Sequence, residues 1–94
     1  MLVRVWQYEV VPGAEAEFER VYGTDGDWAR LFGTSLGYLG TGLYRDVEQP
    51  GRYLTVDRFS GVDVWQQFLQ VHREEYDALE ARTAELTVSE IELV

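Results

Sequence analysis

The sequence predicts an α+β fold of the ferredoxin-like, split βαβ kind, ordered strand, helix, strand, strand, helix, strand. Three observations carry this reading. Runs rich in β-branched and aromatic residues alternate with amphipathic runs studded with glutamate. Pro12-Gly13 and Pro50-Gly51 punctuate the chain where strands must stop. With 94 residues there is room for one domain, residues 1–94, and not for two. The expected product is a four-stranded antiparallel sheet with both helices on one face.

The first strand is LVRVWQYEVV, Leu2 to Val11. Both of its alternating sets carry apolar residues: Leu2, Trp6, Tyr8 and Val10 on one side, Val3, Val5 and Val11 on the other. Each side therefore needs a cover. Ala14, Phe18, Val21 and Tyr22 then recur at helical spacing until Gly23-Thr24-Asp25-Gly26 breaks the pattern. Asp25 or Asp27 is placed to cap a resumed short helix, DWARLF, whose Trp28, Leu31 and Phe32 share a side.

Tyr38 to Glu48 reads as the second strand, in which Gly40 and Gly42 share a face with Tyr38 and Tyr44 and mark the close approach of a backbone or ring. Arg52 to Phe59 is the third strand and pairs with the second as a hairpin. Ser60 or Asp63 is placed to cap the long second helix, which runs towards Glu85. Trp65, Leu69, His72, Tyr76 and Leu79 follow at steps of four, three, four and three, one stripe of that helix. Leu86 to Val94 is the fourth strand.

Composition excludes several function classes. Seventeen acidic against eight basic side chains give a net charge of -9, which repels a phosphate backbone or an anionic membrane surface. With no cysteine there is no disulfide, thiolate nucleophile or Cys-based metal site, and the one histidine cannot build a multi-histidine centre. No metal site is expected. No apolar run is long enough to span a bilayer, and MLVRVWQYEVVPG lacks the pattern of a signal peptide, so a cytoplasmic location is the default. The sheet face without helices would leave an apolar patch too large for a monomer, so a homodimer through sheet faces is expected.

Several short pieces resemble one family. They are V-x-P-G-x-E-x-E-F at Val10 to Phe18, Gly37-Tyr38-Leu39-Gly40 opening the second strand, Arg52-Tyr53-Leu54 with Phe59 in the third, and the aromatic helix bearing His72. Their order and spacing over Leu2 to Val94 resemble an antibiotic biosynthesis monooxygenase domain of the dimeric α+β barrel superfamily. The resemblance implies a homodimer with one small-molecule cavity per subunit between sheet and helices. Some relatives there oxygenate polycyclic phenols with O2 and no metal, flavin or haem, so no cofactor is expected. A haem-degrading branch places an Asn near Trp6 and a Trp near Phe68, and its iron-binding histidine near His72. Without the first two, haem chemistry is not carried over.

The expected site follows. His72 or Tyr76 takes a proton from an electron-rich phenol. Trp6, Tyr8, Trp28, Phe32, Trp65, Phe68 and Leu69 wall the cavity and stack the ligand. The bland alternative is a histidine satisfied by a backbone carbonyl or Tyr76, among rings that only fill a core. A small-molecule-binding dimer without turnover is the second functional reading. Asp57 and Arg58 point to opposite faces of their strand, which would put one near the cavity and the other at the dimer interface or edge, with surface placement the favoured reading for each.

Overall fold

A computed structural model covering Met1–Val94 gives the order β1 (Leu2–Val10), α1 (Glu15–Tyr22), α2 (Asp27–Phe32), β2 (Tyr38–Arg45), β3 (Arg52–Phe59), α3 (Val62–Thr83) and β4 (Thr87–Glu92). The four strands form one antiparallel sheet in the order β2-β3-β1-β4. This is the ferredoxin-like arrangement, with β1 and β3 central.

The helices cover the sheet face that presents Tyr8 and Val10 from β1 and Tyr53, Thr55 and Phe59 from β3, all buried. Phe18 of α1 and Phe68 of α3 meet them, with 0% and 2% of their surface exposed. Removing rings of this size from water is the main stabilising term of a domain this small. The opposite face carries Val5 against Val56, with Gln7 between Leu54 and Ile91. No element of the chain covers it, and Tyr44 and Ile91 are about half exposed there, at 52% and 50%.

Local chemistry moves several predicted details. In β2 the register shifts between Tyr38 and Gly40, because Leu39 is an extra residue in a bulge and Gly40 takes φ +137°. Tyr38 and Tyr44 therefore lie on opposite faces, not on one. Tyr38 joins Phe32 and Phe59 in the core, while Tyr44 lies across Gly42, where an added Cβ would stand 2.7 Å from its hydroxyl. β2 also stops three residues early, at Arg45. There the Asp46 carboxylate accepts the Glu48 amide at 2.8 Å and turns the chain.

Neither predicted helix cap forms. Gly26 and Gly61 occupy the cap positions of α2 and α3 without side-chain hydrogen bonds. Asp27 is instead the first helical residue, and its carboxylate gathers Arg20, Arg30 and Arg82 at 3.4, 2.8 and 3.1 Å. α3 ends at Thr83, short of Glu85, where a 3-10 turn over Ala84–Leu86 takes up the residue that had been read as opening β4. Most consequential is a break inside α3: His72 has φ -116° and ψ 26°, outside the helical region.

Candidate active site

Alternation in β1 sends Arg4, Trp6 and Tyr8 towards the helices. Asp57 stands directly across from Arg4, and Thr55 across from Trp6, on β3; Glu90 of β4 stands across from Tyr8. Over these strands, Trp28 and Phe32 of α2 and Trp65 and Tyr76 of α3 enclose a cavity of about 50 Å³. Its walls are aromatic, with edge contacts between Trp28 and Tyr76 at 5.2 Å and between Phe32 and Trp65 at 5.9 Å. It reaches solvent where Glu80, Ala84 and Glu90, all exposed, complete the lining.

The polar end is built round Asp57. Thr41 Oγ1 donates to Asp57 Oδ1 at 2.6 Å, and the Tyr38 hydroxyl bonds to the same Thr41 oxygen. Since the Thr41 proton goes to the carboxylate, Tyr38 supplies the proton of the other bond. The sequence is Tyr38 to Thr41 to Asp57. Burial raises the Asp57 carboxyl above its usual range, offset in part by the Thr41 hydrogen bond and by the charge of Arg4. Arg4 pairs with Glu92 and lies 4.6 Å over the Trp65 ring, which fixes its guanidinium at the cavity wall.

Burial also acts on the tyrosines. The Tyr76 hydroxyl is pushed up to about 12, burial being the largest cause and Glu80 the next. Tyr8 and Tyr22 are raised too, chiefly by burial. All three stay protonated near neutrality, which makes them hydrogen-bond donors by character and poor bases. Tyr22 donates to Thr83 Oγ1 at 3.2 Å, and Thr83 donates to the Leu79 carbonyl at 2.8 Å. Trp28 Nε1 is near enough to Tyr22 to favour its anion but makes no hydrogen bond of proper geometry with any group.

His72 is elsewhere. It lines a separate outer groove, larger at about 280 Å³ but more open, between α3 and the segment leading into β2, with Thr34, Gly37, Val64 and Phe68. Nδ1 lies 2.8 Å from Glu75 Oε2, and Nε2 lies 3.2 Å from Thr34 Oγ1. Phe68, whose ring sits 5.3 Å from the imidazole, stands in the packed layer beneath it. The reading of His72 as the inner wall of the cavity is therefore corrected. The helical stripe that placed it there is interrupted at His72 itself, where the backbone leaves helical geometry.

Of the other predicted residues, Trp6, Tyr8, Trp28, Phe32, Trp65 and Tyr76 line one cavity. Phe68 is core that borders the outer groove, and Leu69 packs on the core without lining either hollow. Unforeseen in the sequence were Arg4, Thr41, Glu80 and Glu90, and Asp57 takes the cavity position that was the lesser alternative to the surface. The available signal was parity: Arg4 is two residues from Trp6, and Asp57 two from both Thr55 and Phe59, so each belongs to an inward-facing set. No group of three His, Asp or Glu side chains converges as a metal site.

No family model and no curated protein matches the chain. Solved structures do. SnoaB, a cofactor-independent oxygenase from Streptomyces nogalater, superposes with a TM-score of 0.70 at 22% identity, covering 98% of this chain and 89% of that one. A Bordetella bronchiseptica protein assigned to the antibiotic biosynthesis monooxygenases does so with a TM-score of 0.74 at 24% identity, covering 98% and 95%. This chain has the antibiotic biosynthesis monooxygenase fold. MhuD, solved with two manganese protoporphyrin IX molecules per active site, is also similar, with a TM-score of 0.69 at 25% identity over 97% and 88%. In this chain the monooxygenase fold places one enclosed aromatic cavity between sheet and helices, with Asp57 as its hydrogen-bonded carboxylate.

Proposed function

We propose that the chain is a cofactor-independent monooxygenase of the antibiotic biosynthesis type, acting on a small electron-rich phenolic aromatic in the cavity between sheet and helices. The observation that carries this reading is Asp57: a carboxylate with raised proton affinity, held by Thr41 beside the guanidinium of Arg4, in a wall otherwise made of rings. Asp57 takes the phenolic proton, and Arg4 faces the anion that results. The anion passes one electron to O2, and the substrate radical and superoxide combine through a new C–O bond. Where the oxygenated carbon began with two hydrogens, loss of water leaves a carbonyl. One oxygen atom stays in the product and the other leaves as water. The aromatic walls keep bulk water from the intermediates.

The proposal includes a homodimer in which the uncovered face, with Val5, Leu54, Val56 and Ile91, meets its copy across a two-fold axis. A charge at its centre, as in Val5→Asp, is expected to give a monomer in sedimentation velocity. A wild-type chain that sediments as a monomer at all concentrations contradicts the dimer.

Ligand holding without turnover is the second reading, favoured by the small enclosed volume and by the porphyrin-bound state of MhuD. Oxygen uptake with a panel of anthrones and quinols separates the two. Uptake by the wild type that falls on Asp57→Asn is the expected result for the enzyme. Binding with no uptake above background, for every compound, leaves only the binding module.

A further inference from the structure

The cavity is charged unevenly, and the imbalance specifies part of its ligand. Four of the lining residues carry charges: Arg4 against Asp57, Glu80 and Glu90, one cation facing three carboxylates. The cation is already committed, since Arg4 pairs with Glu92 and lies over Trp65. Asp57 has the Thr41 hydroxyl. Glu80 and Glu90 have neither an ion pair nor a hydrogen bond, although they come from different elements, α3 and β4, and converge on the same opening. They feel each other: burial and then the charge of Glu80 raise the proton affinity of Glu90.

An edge strand commonly points one charge inward to block pairing with another sheet. That accounts for a single glutamate on β4. It does not account for a second carboxylate brought against it from a helix, where like charges cost stability. The surroundings add two observations. Tyr22, Trp28 and Tyr76 lie beside the glutamates, and ring faces attract cations. Trp28, only 8% exposed, keeps its indole N–H beside the Tyr22 hydroxyl without a properly aligned acceptor, a polar group within the aromatic wall.

We propose that the cavity takes an aromatic molecule bearing a protonated amine, with the ammonium between Glu80 and Glu90 and the ring among the aromatic walls. This rests on the cavity being the ligand site. Along β1, the partner of Glu90 (Tyr8) and the partner of Asp57 (Arg4) are four residues apart, about 13 Å. A phenolic amine whose ammonium meets the glutamates therefore directs its ring and hydroxyl along the cavity towards Asp57. Ligands with carboxylates, porphyrin propionates included, meet repulsion at the same opening.

The test uses three phenols of similar size: tyramine, 4-ethylphenol and 3-(4-hydroxyphenyl)propionate, which are cationic, neutral and anionic at pH 7. Each is titrated into the full chain at low salt while the indole N–H resonances of the three tryptophans are followed by NMR. Tyramine is expected to bind about tenfold tighter than 4-ethylphenol, and the propionate about tenfold weaker, with both differences shrinking as salt is raised. Both glutamates are exposed, so Glu80→Gln/Glu90→Gln is expected to fold, and it brings the three Kd values within about twofold of one another. Equal affinities in the wild type overturn the inference and leave the ligand site standing. A charge preference that survives the double substitution overturns its assignment to Glu80 and Glu90. Indoles that respond to none of the three phenols overturn both the inference and the ligand site.

Discussion

The two hollows on either side of α3 differ in a way that reverses the usual reading of such a helix. The outer groove holds the only histidine of the chain, already bonded through both ring nitrogens to exposed partners, Glu75 and Thr34. The inner cavity holds no histidine, yet its carboxylate is partly withdrawn from water and its tyrosines are held protonated. Chemical capacity here follows enclosure, not residue type. An imidazole at a groove meets solvent and behaves as a helix-surface group. An ordinary aspartate gains proton affinity once rings surround it.

The largest expected effect that sharpens this contrast is on turnover. Asp57→Asn keeps the shape and the Thr41 contact but removes the base, and kcat is expected to fall by about 10²–10⁴ in oxygen-uptake assays. His72→Ala is expected to stay within about twofold of the wild type, since a residue outside the cavity touches no substrate. A histidine variant that fell as far as the aspartate variant would break the distinction between the hollows.

Next comes the packed ring between them. Phe68 is 2% exposed and borders the outer groove. Phe68→Ala is expected to cost about 3–5 kcal/mol in urea unfolding. A loss below about 1 kcal/mol would mean that the layer under His72 is not the tight partition described here.

Smaller, and opposite in sign, is the effect of Asp57 on stability. Its carboxyl has a higher pKa in the folded chain than the ordinary 3.8. The fold thus favours the protonated form, and its contribution is present below that ordinary value and lost as pH rises through the raised folded value. Asp57→Asn is expected to unfold at a higher temperature than the wild type at pH 7, with the gain shrinking towards pH 3. A variant less active and more stable is the signature of a group placed for chemistry. A lower melting temperature at pH 7 would make Asp57 structural.

How much was legible in the sequence depended on whether local patterns survive tertiary packing. The bounds of β3, Arg52 to Phe59, follow from its alternation and flanking turns, and the structure keeps them. Six of the aromatic wall residues could be named because large rings in so short a chain must cluster. The faces of β2 could not, since one extra residue at Leu39 inverts parity for everything before it. His72 was misplaced for the same kind of reason, a helical period extrapolated across a break. Asp57 was read as a surface charge because its value comes from Thr41 and Arg4, on two other strands that no local window contains.

The bulge at Leu39 has a consequence for comparing this chain with others. Tyr38 and Thr41 are three positions apart, an odd spacing that in a regular strand would set them back to back. The extra residue turns them to the same side, and only then does the tyrosine hydroxyl reach the threonine that holds Asp57. A relative with a regular second strand would need its tyrosine one position nearer to its threonine. An ungapped alignment of the two would match one of the pair and mismatch the other. The hydrogen-bonded chain would look half lost in a protein that retains all of it, and a single gap opposite Leu39 restores the correspondence.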